Sequence, residues 1–296
     1  MAQKILRCTC AEFWCCAAYL YYQCAEGIDG AMTIKPVLRY PGAKWRIADW
    51  IVNFFPRHDV YVEPFFGSGA VFFTKHPSGT ETINDMDGNV VNLFRVIRDD
   101  AEALCRAVEM TPYAREEYES CCVDNFVDNP VDKARRFLVR TWQGFGAKTR
   151  DRSGWSHDRT NTVFRPKYWN ELPGKILNTV ERLKTAQIEC MDALELIPLY
   201  NRRGTLMYVD PPYLRNVRTN LHYAHEFATP AEHEKLLNIC KQHVGPCIIS
   251  SYENEMYDKL LAGWEKKTIQ TQTNCAKTAT ECIYINQAAT REMSLF

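Results

Sequence analysis

Residues 205–214 read Thr-Leu-Met-Tyr-Val-Asp-Pro-Pro-Tyr-Leu, an apolar run that stops at two consecutive prolines. The run at residues 206–209 is rich in residues that favour strands, which predicts a short buried strand. The strand must end at the prolines, because neither has an N–H group to donate to a neighbouring strand. We therefore expect Asp210 and Tyr213 to lie at the edge of a sheet, on a backbone that the prolines hold stiff.

The residues after this strand suit the binding of an aromatic amine. Asp210 supplies a carboxylate, the Pro211 carbonyl cannot join the sheet, and Tyr213 supplies an aromatic face. Two acceptors can hold the two N–H groups of an amine, while a ring can stack on a base. The pattern thus indicates the amino group of a nucleobase as the substrate. Proline-rich turns with a neighbouring Asp are also common without any such function, so the choice depends on a cofactor site elsewhere.

A second pattern predicts a strand, a glycine turn and a helix start at residues 59–71, where residues 63–69 read Glu-Pro-Phe-Phe-Gly-Ser-Gly. Glycines allow positive φ and a close approach of backbone to ligand, and the following helix N-terminus faces the turn. Residues 81–85 predict a further strand that ends in Asp85. An acid roughly 20 residues beyond such a turn is where nucleotide-binding βαβ units hold ribose hydroxyls. Asp87 is an alternative candidate for holding the ribose hydroxyls, although it could serve merely as a helix N-cap.

A third pattern at residues 35–44 predicts a short extended segment, a Pro-Gly turn and then an amphipathic helix. We expect the turn to leave Lys44 at the helix start, where the helix dipole disfavours a cation. A lysine in that place therefore indicates a ligand. The predicted apolar side of this helix consists of Trp45, Ile47, Ala48, Ile51, Val52 and Phe55.

These segments together resemble the Dam-like (D12 class) DNA adenine-N6 methyltransferases of bacteria and phages. Asp-Pro-Pro-Tyr resembles the family's catalytic motif and Glu-Pro-Phe-x-Gly-x-Gly its first S-adenosylmethionine motif, and the resemblance extends over residues 34–287. It implies an α/β, doubly wound, Rossmann-like S-adenosylmethionine-dependent methyltransferase fold with an inserted, mainly helical target-recognition domain. The residues that it implies for S-adenosylmethionine are Tyr40, Lys44, Glu63, Phe65, Gly67, Gly69, Asp85, Met86 and Asp210.

The resemblance also implies a catalytic mechanism for Asp210, Pro211, Pro212 and Tyr213. Asp210 and the Pro211 carbonyl would accept hydrogen bonds from the adenine N6 amine, whose lone pair then becomes available for methyl transfer. Tyr213 would stack on an adenine that has been flipped out of the DNA. Transfer would be direct, without a covalent enzyme intermediate, and no metal would be needed.

Residues 99–174 lack the alternation of strands and helices, and they concentrate positive charge. Residues 133–167 contain ten Lys and Arg residues but only two Asp residues, interleaved with aromatic residues. A solvated basic face is the ordinary explanation of such a run. Its place between the cofactor motifs and Asp-Pro-Pro-Tyr favours DNA recognition instead. The residues predicted to bind DNA are Arg140, Lys148, Arg150, Arg152 and Arg159.

Composition restricts where such a protein works. The 36 basic and 36 acidic residues give a formal net charge of zero, so a nucleic-acid footprint must be local. The 13 cysteines are scattered and form no pair of Cys-x-x-Cys motifs, which argues against a zinc site. Reduced cysteines predict a cytoplasmic protein with no membrane association.

Residues 1–32 do not match the remainder, because they combine five cysteines with an aromatic stretch. A signal peptide is one interpretation, but no clean cleavage site follows. We favour an extension that arises when translation starts upstream of Met32. The predicted domains are this extension, a catalytic S-adenosylmethionine-binding domain at residues 33–98 and 175–290, and a target-recognition insert at residues 99–174.

Double-stranded DNA is the expected partner, and a cognate restriction endonuclease is a further candidate. Two alternatives to an adenine-N6 methyltransferase stay open. A cytosine-N4 methyltransferase uses the same amine chemistry, although Asp210 rather than a serine at that position favours adenine. A catalytically inactive DNA-binding relic would need a damaged cofactor site, whereas the cofactor residues are intact.

Overall fold

The computed structural model describes residues 34–123, 127–147, 149, 153–158, 164–214, 227, 229–272 and 278–293. Within these residues, seven strands form one sheet with the spatial order β3-β2-β1-β4-β5-β7-β6. The first five strands in this order are parallel, and β7 runs antiparallel to both β5 and β6. The strands are β1 (Val60–Glu63), β2 (Thr80–Asn84), β3 (Ala186–Glu189), β4 (Thr205–Val209), β5 (Cys247–Tyr252), β6 (Glu265–Gln272) and β7 (Thr278–Ile285).

Helices cover both faces of this sheet. They are α1 (Ala48–Val52), α2 (Ala70–Thr74), α3 (Gly88–Asp99), α4 (Ala101–Glu109), α5 (Arg115–Cys121), α6 (Pro130–Gln143), α7 (Arg165–Asn170), α8 (Leu172–Lys184), α9 (Ala193–Leu199), α10 (Pro230–Lys241), α11 (Glu255–Leu260) and α12 (Gln287–Met293). Several of them begin at a side-chain N-cap, and the interpretation of Asp87 as an N-cap is confirmed. Asp87 caps α3, and Thr229 forms a capping box with Glu232 at the start of α10.

Alternate residues of β4, β5 and β7 enter two different apolar cores. Leu206 and Tyr208 of β4 pack in the core formed with α1 to α6 and α8, whereas Met207 and Val209 pack against α9, α10 and α11. This division follows from the two-residue period of a strand, whose successive side chains point to opposite faces. The sheet is therefore doubly wound, which confirms the predicted α/β fold class with a mixed seven-stranded sheet.

The predicted recognition insert is helical where the structure describes it. Its helices α4, α5 and α6 share one apolar core with the sheet, since Leu104, Tyr118 and Phe137 lie in the same cluster as Tyr61 and Ile83. The division of the chain into domains stays a prediction. Among the residues that the structure describes, no helix is long and apolar enough to cross a membrane.

The helix expected after the Pro-Gly turn is shorter than predicted. A turn covers residues 45–47, and α1 extends only from Ala48 to Val52. Phe55 cannot extend it, because Pro56 disfavours helical geometry in the residue before it. Trp45 instead reaches the glycine turn, where its indole N–H donates to Ser68 Oγ at 3.1 Å.

A buried ion cluster joins α2, β2 and α8 on the side of the core. Glu81 of β2 has only 1% of its side chain exposed and pairs with Lys75 and with Arg182. The Arg182 guanidinium also donates to the Phe72 carbonyl at 3.1 Å. Lys75 and Arg182 share the carboxylate of Glu81 away from water. If this carboxylate were removed, water could not replace it as a partner of either cation.

We predict that Glu81→Gln destabilises the protein by about 3–5 kcal/mol, because it leaves two buried cations without their carboxylate. Glu181→Gln is the control, since it breaks an exposed pair with Lys184 and should change the free energy of unfolding by less than about 1 kcal/mol. Urea denaturation of both variants measures the difference. Equal, small changes would contradict a structural role for the cluster.

Candidate active site

Polar side chains lie at the edge of the sheet where the parallel strands end. Each of them stands next to a row of apolar side chains on the same face of its strand. On the face that carries Tyr61 and Tyr208, the next residues of the same parity are Glu63 on β1 and Asp210 after β4. Because β7 is antiparallel, its beginning lies at this edge, and Glu281 pairs in register with Tyr252 at the end of β5. We call Glu63, Asp210, Tyr252 and Glu281, with the Lys44 and Tyr213 side chains that contact them, the polar layer.

Asp210 forms an ion pair with Lys44 in this layer. Lys44 Nζ lies 3.1 Å from Asp210 Oδ1, and 17% of the Asp210 side chain is exposed. The same Nζ donates to the Gly42 carbonyl at 2.9 Å and lies 4.5 Å from the centre of the Tyr213 ring. The prediction that Lys44 lies at a helix start was wrong, since α1 begins at Ala48. The lysine is held by the carboxylate that ends β4 instead.

Tyr213 is buried and held at both its edge and its hydroxyl. Its hydroxyl donates to Glu281 Oε2 at 2.8 Å. Its ring meets Tyr252 edge-on, with centroids 4.6 Å apart and planes at 68°. The two prolines before Tyr213 leave no strand pairing at this point, so these side-chain contacts set the position of the ring.

The predicted cofactor segments lie together at the glycine turn. Gly67 and Gly69 have φ of 51° and 69°, and a Cβ at Gly67 would lie 3.0 Å from the Tyr40 ring. Asp85 accepts from the backbone N–H of Gly67 at 2.8 Å and of Asp87 at 2.9 Å. Three segments that are far apart in sequence thus form one cradle.

The other predicted cofactor residues lie around this cradle in different environments. Met86 is 52% exposed directly after Asp85, as a side chain that stacks on a ligand must be. Phe65 meets Phe227 edge-on at 5.7 Å. Glu63 is buried and accepts from the Tyr61 hydroxyl at 2.7 Å. The role of each in binding a cofactor stays a prediction.

Burial raises the pKa values of the carboxyl groups in this region. Burial raises the pKa of Glu63 to about 8, and the nearby Asp210 charge contributes in the same direction. Burial raises the pKa of Asp85 to about 7, although its two backbone N–H donors oppose the shift. For Asp210 and Glu281, burial also raises the pKa, while the Lys44 ammonium lowers it. Lys44 is therefore the group that favours a charged Asp210.

Glu281 and Tyr252 are site residues that the sequence analysis missed. Glu281 comes directly before the apolar run of β7, and a charged residue at a buried strand position is a usable signal. Asn84 was missed as well. Its amide donates to the Pro64 carbonyl at 2.9 Å and to the Met191 carbonyl at 3.0 Å, which ties the loops after β1 and β3 together.

Of the five residues predicted to bind DNA, the structure describes Arg140. It lies in the last turn of α6, with its guanidinium carbon 5.7 Å from the centre of the Phe137 ring. The others lie outside the described residues. They are Lys148, Arg150, Arg152 and Arg159. DNA binding by these residues stays a prediction.

Comparison with known proteins matches the chain to a family. The family profile described as D12 class N6 adenine-specific DNA methyltransferase matches residues 40–275. The chain is 25% identical to the Type II methyltransferase M.MjaIII of Methanocaldococcus jannaschii, over 62% of this chain and 70% of that protein. It is 24% identical to the Type II methyltransferase M1.LlaDCHI of Lactococcus lactis subsp. cremoris, over 84% of this chain and 92% of that protein. A DNA adenine methylase of Haemophilus influenzae is 23% identical over 60% of this chain and 64% of that protein.

We predict that stability falls as pH rises from about 4.5 to about 8 because of Glu63. In this window the unfolded chain releases the Glu63 proton while the folded protein keeps it, so unfolding becomes more favourable as pH rises. Glu63→Gln removes the titrating group. The melting temperature of the variant relative to the wild type should therefore increase from pH 5 to pH 8.

Thermal unfolding without cofactor measures this difference. Glu253→Gln, which changes a carboxylate with 63% of its side chain exposed, is the control and should follow the wild type. Parallel pH profiles of the wild type and Glu63→Gln would contradict a raised pKa at this position.

Proposed function

We propose that Asp210 and Tyr213 bind the target adenine, and the premise is the family of the protein. The chain belongs to the D12 class N6 adenine-specific DNA methyltransferases. The chain is an S-adenosylmethionine-dependent enzyme that methylates the N6 amine of adenine in DNA. One observation carries the proposal for the site. Asp210 already holds an N–H donor, the Lys44 ammonium, over the face of the Tyr213 ring. A flipped adenine would present an N–H donor to Asp210 and a flat ring to the face of Tyr213.

The cradle fits S-adenosylmethionine in chemistry and shape. Gly67 has a positive φ and leaves room beside the Tyr40 ring, the Asp85 carboxylate can accept ribose hydroxyls, and Met86 offers an exposed apolar side chain. When bound there, S-adenosylmethionine supplies an electrophilic methyl group on a sulfonium. We propose that Lys44 and Glu63 complete this site from the side of the polar layer, with Gly69 and Phe65 shaping the turn.

Asp210 acts on the amine in two ways in this proposal. As an acceptor, together with the Pro211 carbonyl, it orients the N6 lone pair out of the plane of the base. After transfer, the methylated amine must lose one N–H proton, and Asp210 is the carboxylate placed to accept it. Both roles require a charged Asp210 at the start, which the Lys44 ammonium favours against the effect of burial. Pro212 keeps Tyr213 and Asp210 in a fixed relation.

We further propose that the basic segment at residues 133–167 binds the phosphates of double-stranded DNA. The supporting observations are its ten basic against two acidic residues and the position of Arg140 in the last turn of α6, within this segment. The enzyme would act in the cytoplasm, where its DNA substrate is. The similarity to proteins named Type II methyltransferases supports a cognate restriction endonuclease as a partner.

We predict that Asp210→Ala lowers methyl transfer to unmethylated DNA by roughly 100-fold or more, because the developing charge on the amine loses its acceptor. S-adenosylmethionine binding should be kept at least in part, since the cradle is unchanged. Asp210→Asn keeps one acceptor oxygen and should fall between the wild type and Asp210→Ala.

Quantification of N6-methyladenine by mass spectrometry and calorimetric titration of S-adenosylmethionine test this prediction. Asp99→Ala, which changes an exposed carboxylate on α3, is the control. Undiminished turnover by Asp210→Ala would refute the role assigned to Asp210.

Gly67→Ala should weaken S-adenosylmethionine binding by at least roughly tenfold, because its Cβ would lie 3.0 Å from the Tyr40 ring and displace it from the cradle. Gly263→Ala is the matched control. Gly263 also has a positive φ, of 91°, but its Cβ would meet open space. Backbone strain should therefore be common to both variants, while loss of binding should be confined to Gly67→Ala.

Equilibrium titration of S-adenosylmethionine at matched folded fractions compares the two variants. Equal affinity in both variants would show that the contact between Gly67 and Tyr40 does not shape the cofactor site.

A further inference from the structure

Glu281 is a buried carboxyl group in a position where the strand pattern calls for an apolar residue. Only 7% of it is exposed, and the residues of the same parity on β7, Ile283 and Ile285, lie in the apolar core. A buried carboxyl is costly unless a specific partner compensates for lost solvation. Glu281 accepts a hydrogen bond from the Tyr213 hydroxyl, at 2.8 Å.

This hydrogen bond joins two parts of the sheet that are far apart in sequence. Tyr213 follows two prolines beyond the end of β4, so no strand pairing holds its backbone. Glu281 is anchored on both sides, because β7 lies between β5 and β6 and pairs with both. Tyr252, the register partner of Glu281, also supports the edge of the Tyr213 ring. The antiparallel strand therefore acts as the fixed end of the contact.

We propose that Glu281 is a positioning residue for methyl transfer, which fixes the plane of the Tyr213 ring by accepting its hydroxyl hydrogen bond. This inference rests on the proposed function, in which the target adenine stacks on Tyr213. A ring held at its far end cannot swing about its side-chain torsions, so the stacked base keeps its amine beside Asp210. Small displacements of a reacting group are enough to slow a reaction by about 100-fold.

A double-mutant cycle tests this role with the full chain, unmethylated DNA and S-adenosylmethionine. Glu281→Ala should lower kcat by roughly 10-fold to 100-fold, the range expected for a hydrogen bond to a charged group. The Kd for S-adenosylmethionine should stay within about twofold of the wild type. Each kcat is calculated per S-adenosylmethionine-binding site, so that unfolded protein does not lower the measured value.

Two further variants separate positioning from a general structural role. Glu281→Gln should recover most of the activity, because its amide oxygen still accepts the Tyr213 hydroxyl. Tyr213→Phe should lower kcat like Glu281→Ala, and combining the two should cause no further loss. Glu265→Ala, an exposed position on β6 of the same hairpin, is the control with unchanged activity.

The outcomes distinguish this inference from the proposed function. Independent, multiplying effects of Glu281→Ala and Tyr213→Phe would overturn it, as would full kcat in Glu281→Ala or no recovery in Glu281→Gln. Tyr213→Ala tests the underlying role of the ring. If that variant keeps full activity, the stacking role itself is wrong. If it is inactive while Glu281→Ala is fully active, only the positioning role of Glu281 is wrong.

Discussion

Carboxyl groups buried at one edge of the sheet are the constraint on which the site depends. The rows of apolar side chains that fill the core end there in Glu63, Asp210 and Glu281. Glu63 and Glu281 are buried, 17% of the Asp210 side chain is exposed, and each of the three has a polar partner. The partners are the Tyr61 hydroxyl, the Lys44 ammonium and the Tyr213 hydroxyl, respectively. Lys44 and Tyr213 come from segments outside the sheet. Pairing these acids therefore places a cation and an aromatic ring at the edge where we propose that methyl transfer takes place.

The strand order explains why the residues proposed to bind cofactor and substrate lie at this edge. Chain order runs outward in opposite directions from β1 and β4, which are neighbours in the sheet. Loops after such a pair of strands separate and leave a crevice, which is where doubly wound folds bind ligands. The glycine turn and Asp85 follow β1 and β2 on one side, and Asp210 follows β4 on the other. Methyl donor and amine can thus approach each other from adjacent loops.

Local patterns could predict the elements that depend on local physics. Two prolines predict the end of β4, the glycines predict the turn around Gly67, and Asp87 is a suitable N-cap for α3. The structure confirms all three. The partner of a buried side chain depends on strands that pair only in the folded protein. Glu281 contacts Tyr213 across 68 residues of chain, and no local pattern specifies that contact.

The same reasoning explains the error at Lys44, where local helix electrostatics suggested a ligand and the structure supplies Asp210, from a segment more than 150 residues away.

The most direct test of the account is to identify the methylated atom. Unmethylated DNA would be incubated with the protein and S-adenosylmethionine carrying a deuterated methyl group, digested to nucleosides and analysed by mass spectrometry. The account predicts that the label appears as N6-methyladenine. Label in N4-methylcytosine, or none in DNA although the protein binds S-adenosylmethionine, would contradict it.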